Sequence, residues 1–176
     1  MTESERREAA RQFIQKWHDR GKEDEDDRSY WLDILQRILG IANATDRIEF
    51  QKKVIVDGNT KKIDAYIPET RVLIEQKSLN VALERKAEQS GGIFLTPYEQ
   101  AKRYNDNLPL SQKARWIAVS NFSEIWVYDM ESARPAPQKF SIANMQNQSH
   151  FLDFLIEKKA AAPNIEVEIS KKAGDM

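Results

Sequence analysis

Residues 63–78 of the chain read IDAYIPETRVLIEQKS, and this stretch decides the fold. Apolar and polar residues alternate over 63–67, which predicts a strand, and the run at 68–70 is typical of a turn. A strongly apolar segment then leads into the tripeptide EQK at 75–77. Because the two predicted strands follow each other across a short turn, we expect them to pair as a hairpin.

Three charged side chains of this hairpin are expected to meet. Side chains alternate between the faces of a strand, so Glu75 and Lys77 point one way and Gln76 points the other way. If the hairpin forms, Asp64 lies beside Glu75. Two carboxylates suit Mg²⁺, which prefers oxygen ligands and completes its shell with water and substrate phosphate. A neighbouring ammonium orients water and offsets charge on phosphorus, which indicates phosphodiester hydrolysis.

The alternative interpretation is that these residues lie on an exposed strand face, where charged side chains recur by chance. Both strands are strongly apolar around Asp64 and Glu75. That setting favours a site over an exposed face.

Composition limits the kind of protein and the kind of metal site. The 176 residues are 40% hydrophobic and 31% charged, which predicts one globular domain with a real core. There is no cysteine, and His18 and His150 are far apart, so a metal would have oxygen ligands. The N-terminus does not resemble a signal peptide, and no apolar run approaches the ~20 residues of a membrane span, so we expect a cytoplasmic protein. With a net charge of −1, DNA contacts depend on where the basic residues lie.

The segment before the hairpin predicts two helices and one strand. Amphipathic periodicity indicates helices over 3–19 and 29–39, and the acidic run 23–27 between them is expected to be a solvated loop. A strand is predicted over 47–56. Asp57-Gly58 follows it and predicts a tight hairpin turn, so the three strands form a meander.

Two further acids are candidates for the metal site. Asp33 lies on the apolar face of the second predicted helix, where it is either an outer metal ligand or a core acid paired with an arginine. Glu49 lies on the first predicted strand, where it either faces the site or is an exposed strand glutamate. The sequence leaves both alternatives open.

The segment after the hairpin is long and polar. Residues 79–95 contain Gly91-Gly92 and show no regular period, which predicts a long loop placed as a substrate-facing flap. Residues 96–108, TPYEQAKRYNDNL, begin with a capping-box pattern and predict a helix.

The C-terminal half of the chain predicts two strands, over 115–121 and 124–130, and a short helix over 151–159. We expect one domain over 1–158. Residues 159–176 are polar and are expected to be a tail or the beginning of a linker.

The spacing of Asp64, Glu75 and Lys77 resembles the D-x(n)-E-x-K motif of the PD-(D/E)XK nuclease superfamily. The predicted order of helix, three strands, helix and strand is similar to the αβββαβ core of that restriction-endonuclease-like fold. The resemblance implies an α/β (α+β) fold with a mixed central sheet flanked by helices.

The predicted helix after the flap carries a second resemblance. Gln100 and Tyr104 share a helical face, and their spacing is similar to a Gln-x-x-x-Tyr motif of the RecB-like branch of the same superfamily. In that branch the pair lies near the site and the DNA. Lys102 and Arg103 lie beside the pair and are expected to support DNA binding.

A narrower resemblance covers roughly residues 17–155. The runs SYWLDILQRILG, IDAYIPETRVLIEQKS, LTPYEQAKRYNDNLP and RWIAVSNF resemble the N-terminal nuclease region of MmeI-like restriction-modification enzymes, type IIL within type IIG. This resemblance implies that Asp64, Glu75 and the backbone carbonyl of Gln76 hold Mg²⁺, with Mn²⁺ as a substitute and Glu49 as a further candidate ligand. It also implies that Lys77 is the catalytic lysine.

The resemblance implies a Mg²⁺-dependent endodeoxyribonuclease that cuts double-stranded DNA to 5′-phosphate and 3′-hydroxyl ends. Such enzymes continue into a helical spacer, an S-adenosylmethionine-dependent methyltransferase and a target-recognition domain. This sequence has no Gly-rich cofactor loop and no Asn-Pro-Pro, so we expect no S-adenosylmethionine site in it. We expect a fragment of a longer protein, or a chain whose methyltransferase and specificity domains come from a partner.

Two alternatives to the endonuclease remain open from the sequence. One is a non-catalytic DNA-binding or interaction module that keeps the nuclease fold. The other is a repair exonuclease of the RecB-like branch, supported by Gln100 and Tyr104.

Overall fold

A computed structural model describes residues 1–158 of the chain. The predicted tail, 159–176, lies outside the described residues. The helices are α1 (Glu3–Trp17), α2 (Glu23–Asp33), α3 (Pro97–Asp106) and α4 (Met145–Gln148). The strands are β1 (Glu49–Val56), β2 (Asn59–Ile67), β3 (Val72–Gln76), β4 (Ala87–Glu88), β5 (Phe94–Leu95), β6 (Trp116–Ser120), β7 (Glu124–Asp129) and β8 (Gln138–Ser141). A π-helical turn, Ile34–Ile38, continues α2, and short 3-10 turns cover Ala44–Asp46, Leu110–Gln112, Ile142–Asn144 and Ser149–Leu155.

Six strands form one mixed sheet in the order β1-β2-β3-β6-β7-β8. Every neighbouring pair is antiparallel except β3 and β6, which run parallel. The chain between these two parallel strands contains α3 and a separate two-stranded ribbon made of β4 and β5. The predicted mixed sheet with flanking helices is confirmed, whereas β8 was not predicted.

Helices cover both faces of the sheet and create two hydrophobic cores. The first, here called the α1–α2 core, packs aromatic side chains of these helices and of the C-terminal turns against one face. The second, the α3 core, packs α3 against the other face. The α1–α2 core includes Phe13, Trp17, Tyr30, Trp31, Ala65, Ile74, Phe151 and Phe154, and the α3 core includes Val54, Ile63, Tyr66, Leu73, Ala101, Tyr104 and Ile117.

The turn between β1 and β2 has the predicted hairpin chemistry. Val56 pairs with Asn59, so Asp57 and Gly58 form a two-residue loop. Both have left-handed backbone, with φ of 52° and 78°. That conformation matches the twist of the flanking strands and is readily adopted by Asp-Gly. The hairpin is therefore confirmed, and β2 begins at Asn59 rather than at Ile63.

The predicted solvated loop over 23–27 is wrong, because these residues form the beginning of α2. Four acids in the first turn favour the positive end of the helix dipole. Lys22 at the N-cap position provides no side-chain cap, but the Glu23 N–H donates to Ser78 Oγ at 3.0 Å. A residue distant in sequence thus accepts a hydrogen bond from a backbone N–H at the helix end for which the local sequence provides no acceptor.

The segment 79–95 is a long connection, as predicted, but it contains the β4–β5 ribbon. Leu83 is buried within it and fixes the connection to the α3 core. The short helix predicted over 151–159 is a 3-10 helix that spans Ser149–Leu155. No helix within residues 1–158 has the length and apolar character needed to cross a membrane.

Candidate functional site

The β2–β3 hairpin brings Asp64 to the end of β3. The last paired residues are Ala65 and Ile74, and extending this register by one position sets Asp64 opposite Glu75. The Gln76 N–H donates a hydrogen bond of 2.7 Å to Asp64 Oδ2. The backbone of β3 therefore holds the Asp64 carboxylate at the strand end, as the hairpin prediction required.

The side chains at the end of β3 alternate as predicted. Lys77 Nζ lies 3.1 Å from Glu75 Oε1, so these two residues share one face. Gln76 points to the α1–α2 core, where Trp31 Nε1 donates to its Oε1 at 2.8 Å. This contact anchors the end of β3 from the opposite face and fixes the direction of its neighbours.

The first turns of α3 complete the surroundings of Lys77. Lys77 Nζ donates to Gln100 Oε1 at 2.9 Å, and Gln100 Nε2 donates to the Tyr104 hydroxyl at 3.1 Å. Thr96 and Glu99 form the predicted capping box and fix the N-terminus of α3. The structure thus brings both residues of the predicted Gln-x-x-x-Tyr pair to Lys77, in a chain of directed hydrogen bonds.

Glu75 is an almost fully buried carboxylate, with 2% of its surface exposed. Its Oε2 atom has no hydrogen-bond partner among the described residues. Burial raises the pKa of Glu75 well above its ordinary value, the nearby Asp64 carboxylate raises it further, and Lys77 opposes the shift. Burying a carboxylate oxygen without a hydrogen-bond partner costs free energy, so a proton or a cation at this atom would stabilise the site.

Asp64 has a perturbed pKa for a related reason. Burial raises the pKa of its carboxyl group to about 6, although the hydrogen bond from the Gln76 N–H favours the ionised form. The negative charge of Glu23 adds to the increase. The carboxyl group therefore ionises only as the pH rises through about 6, and an added positive charge would stabilise the ionised form.

Lys77 keeps its positive charge. Burial by itself would lower the pKa of the ammonium, but the contact with Glu75 and the charges of Glu23 and Asp64 together raise it. The side chain therefore offers a fixed positive charge and N–H donors, and it is poorly suited to accept a proton.

The family model described as "MmeI, N-terminal domain" matches residues 8–176 of the chain. This chain belongs to the MmeI N-terminal domain family. The match confirms the narrower resemblance in the sequence and gives the domain a restriction-enzyme context. No curated protein matches the chain, and no solved structure matches it.

Sequence reasoning missed one acid of this MmeI N-terminal domain that lies at the site. Glu23 is half-buried at the start of α2, and its charge acts on the pKa of Asp64, Glu75 and Lys77. Burial raises the pKa of Glu23 itself, whereas Lys77 lowers it. Asp27, one helical turn later, also raises the pKa of Asp64. The four-residue spacing of Glu23 and Asp27 was the available signal, but it has meaning only if the acidic run is helical.

The connection between α1 and α2 sets the position of Glu23. Leu79 N–H donates to the Gly21 carbonyl at 3.0 Å, beside the Glu23–Ser78 hydrogen bond. A Cβ added to Gly21 would lie 2.3 Å from the Phe122 ring, so only glycine allows this close approach. The two hydrogen bonds fasten the beginning of α2 to the residues that follow Lys77.

The two acids that the sequence left open have other partners. Asp33 accepts hydrogen bonds from Lys16 at 2.6 Å and from Trp17 Nε1 at 3.2 Å, and Arg37 lies 3.5 Å away. It is therefore a core acid paired with cations. Glu49 is opposite Tyr66 in the β1–β2 register, and its carboxylate lies 3.8 Å from Lys52. A ligand role for Glu49 stays a prediction.

The two basic residues of α3 lie outside this hydrogen-bonded chain. Lys102 is exposed and pairs with Asp106 one turn later, at 2.9 Å. Arg103 pairs with Asp57 in the β1–β2 turn and lines a small cleft beside Gln100. Their role in DNA binding stays a prediction.

Proposed function

We propose that this MmeI N-terminal domain is a divalent-metal-dependent DNA endonuclease domain with the PD-(D/E)XK fold. The topology supports the proposal. Strands β1, β2 and β3 form an antiparallel meander, α3 follows, and β6 then runs parallel to β3. This order is similar to that of the αβββαβ core, and Glu75 lies near the end of β3.

The observation that carries the proposal is the environment of the Glu75 carboxylate. One oxygen contacts Lys77, and the other is buried without a hydrogen-bond partner in the part of the chain described. Asp64 lies beside it at the end of the hairpin. Hard divalent cations prefer oxygen ligands, so a cation held by Asp64 and Glu75 would give the buried Glu75 oxygen a partner.

The donor set fits Mg²⁺, with Mn²⁺ as a substitute. Residues 1–158 contain no group of three or more His, Cys, Asp or Glu side chains spaced for a metal ion. By the family resemblance, two carboxylates and the Gln76 carbonyl would be the protein ligands. Mg²⁺ typically keeps several waters and binds substrate phosphate, so such a small ligand set suits it.

The chemistry is hydrolysis of a phosphodiester bond. A divalent ion held by Asp64 and Glu75 would polarise the phosphate and make a water nucleophilic near neutral pH. The attacking water loses a proton as its oxygen bonds to phosphorus, the bond from phosphorus to the 3′ oxygen breaks, and the 3′ oxygen takes up a proton. The products are a 5′-phosphate and a 3′-hydroxyl.

Lys77 supplies charge and orientation in this proposal. Its ammonium, fixed between Glu75 and Gln100, donates hydrogen bonds toward the attacking water or the phosphate oxygens. A preorganised positive charge of this kind stabilises the negative charge that develops in the transition state. Since its pKa is raised, we assign Lys77 an electrostatic role rather than that of a general base.

The proposed partner is double-stranded DNA, with methyltransferase and specificity domains of the same or a partner chain. The net charge of −1 predicts weak DNA affinity for this domain by itself. We propose no S-adenosylmethionine site in these 176 residues. Those other domains would supply affinity and the choice of sequence.

Calorimetric titration of Mg²⁺ and Mn²⁺ tests the metal site, with Asp64→Ala and Glu75→Ala beside the wild type. Asp46→Ala is the control, because it removes an exposed carboxylate from a 3-10 turn. We expect the first two substitutions to abolish metal uptake and the control to retain it. Equal, weak uptake by all four proteins would overturn the proposal in favour of a non-catalytic module.

Nicking of supercoiled plasmid in the same buffers tests the reaction. We expect Mn²⁺-dependent nicking that is lost in Lys77→Ala while metal uptake remains. A circular substrate has no ends, so nicking separates an endonuclease from a RecB-like exonuclease. Degradation of linear DNA alone would favour the exonuclease.

A further inference from the structure

The ribbon formed by β4 and β5 lies between the two halves of the candidate site in sequence, after Lys77 and directly before α3. Gln89 N–H donates to the Ile93 carbonyl at 2.7 Å, and Gly92 N–H donates to the Gln89 carbonyl at 3.1 Å. Gly91 and Gly92 have φ of 90° and 78°, a conformation that glycine adopts without strain. The ribbon therefore has a tight, closed tip.

Two large apolar side chains at this tip are exposed. Phe94 is 57% exposed and Ile93 is 43% exposed. Phe94 is the first residue of β5, and Ile93 directly precedes it at the tip. Leu95, which follows them, lines the cleft beside α3. A small ribbon that presents apolar surface at its tip is suited to insertion between two walls of a partner.

Basic residues flank the ribbon on β2 and α3. Lys61 Nζ lies 3.3 Å from Ser90 Oγ and joins the tip to β2. Arg103 lines the cleft between ribbon and α3 together with Gln100, the residue that accepts from Lys77. Lys61 and Arg103 therefore lie around the apolar tip, and Arg103 lies beside Gln100 of the candidate site.

Acidic residues do not cancel this charge pattern. Glu84 and Glu88 offset Arg85 and Lys86 within the ribbon segment, so the positive charge comes from its flanks. The Arg103–Asp57 pair is on the surface, and surface pairs contribute at most about 1 kcal/mol. A phosphate can therefore replace Asp57 at Arg103 with little loss.

We infer that the β4–β5 ribbon docks in the major groove of duplex DNA beside the bond to be cut. Ile93 and Phe94 contact base edges, and Lys61 and Arg103 contact the phosphates on either side. The inference rests on the proposed function, because that function makes duplex DNA the partner. The major groove admits a two-stranded β-ribbon and presents thymine methyl groups for apolar contact, whereas the minor groove is only about 6 Å wide.

Fluorescence anisotropy with a labelled duplex, without divalent ions so that the DNA stays intact, tests the ribbon in the full 176-residue chain. The variant Ile93→Ser/Phe94→Ser removes the apolar tip from exposed positions. Leu110→Ser is the matched control, because Leu110 is 83% exposed on a 3-10 turn away from the ribbon. At about 50 mM salt we expect the double variant to weaken binding roughly tenfold and the control to bind as wild type does.

Salt dependence and groove competitors sharpen the test. Lys61→Ala should reduce the slope of log affinity against log salt by about 1. Methyl green occupies the major groove and should displace the wild type, whereas netropsin, in the minor groove, should not. Unchanged binding by the double variant, displacement by netropsin alone, or no binding by the wild type would each overturn the inference.

Metal titration of the same double variant separates this inference from the proposed function. We expect its Mg²⁺ and Mn²⁺ uptake to match that of the wild type. A domain that binds DNA through the ribbon but takes up no metal would keep the docking inference and remove the nuclease. If the double variant takes up metal and nicks plasmid as the wild type does, the nuclease proposal stands and the docking inference fails.

Discussion

Gln51 of β1 lies directly opposite Asp64 of β2, and the two strands exchange faces at this pair. The register continues unchanged on both sides, but Gln51 has a left-handed φ of 59°. Ala65 packs in the α1–α2 core, whereas Ile63, two positions away, packs in the α3 core. Residues two positions apart ordinarily share a face, so the strand turns over at Asp64. Asp64, the candidate metal ligand, therefore lies at the position where the two faces of β2 exchange.

Relief of the strain at Gln51 should show in stability. A left-handed backbone costs a non-glycine residue about 1–2 kcal/mol, and glycine avoids this cost but loses up to about 1 kcal/mol of chain entropy. We expect Gln51→Gly to raise the free energy of unfolding by roughly 0.5 kcal/mol in urea denaturation. Lys53→Gly is the control, because Lys53 is exposed on the same strand without a positive φ, and it should lose about 1 kcal/mol. Equal losses in both variants would contradict the assigned strain.

Asp64→Asn should remove a pH dependence of metal-free stability. The pKa of Asp64 is about 6 in the folded protein, above the ordinary value of 3.8, so the folded state binds more protons between these values. The stability associated with this group is complete below pH ~4 and is lost as the pH rises through ~6. The difference corresponds to about 3 kcal/mol. We expect Asp64→Asn to be more stable than wild type at pH 7.

Urea denaturation across this pH range, with a chelator present, measures the effect. Asparagine keeps a side-chain oxygen that can accept from the Gln76 N–H, so the substitution tests charge rather than the hydrogen bond. Asp46→Asn changes an exposed carboxylate and should follow the wild-type curve. An Asp64→Asn curve that falls as steeply as wild type between pH 4 and 6 would refute the assignment of this loss to Asp64.

Glu23→Gln should move the pH dependence of metal uptake to lower pH. The charge of Glu23 raises the pKa of both Asp64 and Glu75, and a metal ion competes with protons for these carboxylates. Removing that charge lets both groups ionise at lower pH. We expect the pH midpoint of Mn²⁺ uptake to decrease, as measured by calorimetry over a pH series.

Glu25→Gln is the matched control for this substitution. Glu25 is on the same turn of α2 but is exposed, with Lys22 at 4.0 Å. Its midpoint should equal that of wild type. An upward shift in Glu23→Gln would show that Glu23 contributes more as an attractive charge for the ion than as a repulsive neighbour of the carboxylates.

Short-range patterns predicted the site where local chemistry alone decides the structure. Asp57-Gly58 specified its turn, Thr96 specified the beginning of α3, and alternation along β3 placed Glu75 and Lys77 together. Each of these features depends on residues a few positions apart. Together, these local features place the carboxylates, the ammonium of Lys77 and Gln100 close to one another.

Features that depend on long-range contacts could not be predicted from the sequence. The beginning of α2 is fastened to Ser78 and Leu79, which are distant in sequence, and these contacts bring Glu23 to the site. The reversal at Gln51 has no local signal either, because no glycine occurs at the left-handed position. The tertiary structure decides both, and both lie beside Asp64 or Lys77.

Tyr104→Phe should reduce DNA nicking without changing metal uptake, because the Tyr104 hydroxyl fixes the orientation of the Gln100 amide. Gln100 Nε2 donates to that hydroxyl, and its Oε1 therefore faces Lys77. Without the hydroxyl, a flipped amide would direct its NH₂ group at the ammonium. We expect about a fivefold lower nicking rate, the equivalent of the about 1 kcal/mol that one hydrogen bond contributes.

Two further variants separate orientation from packing. Tyr98→Phe removes the other tyrosine hydroxyl of α3, whose contact is with Met130 Sδ at 3.9 Å, and should nick plasmid as wild type does. In the Tyr104→Phe background, Gln100→Glu should restore the rate, because a carboxylate presents an oxygen to Lys77 in either orientation. Packing damage would not be repaired by that change. Failure of the rescue, with metal uptake intact, would therefore show that Tyr104 supports the site by packing and not by directing Gln100.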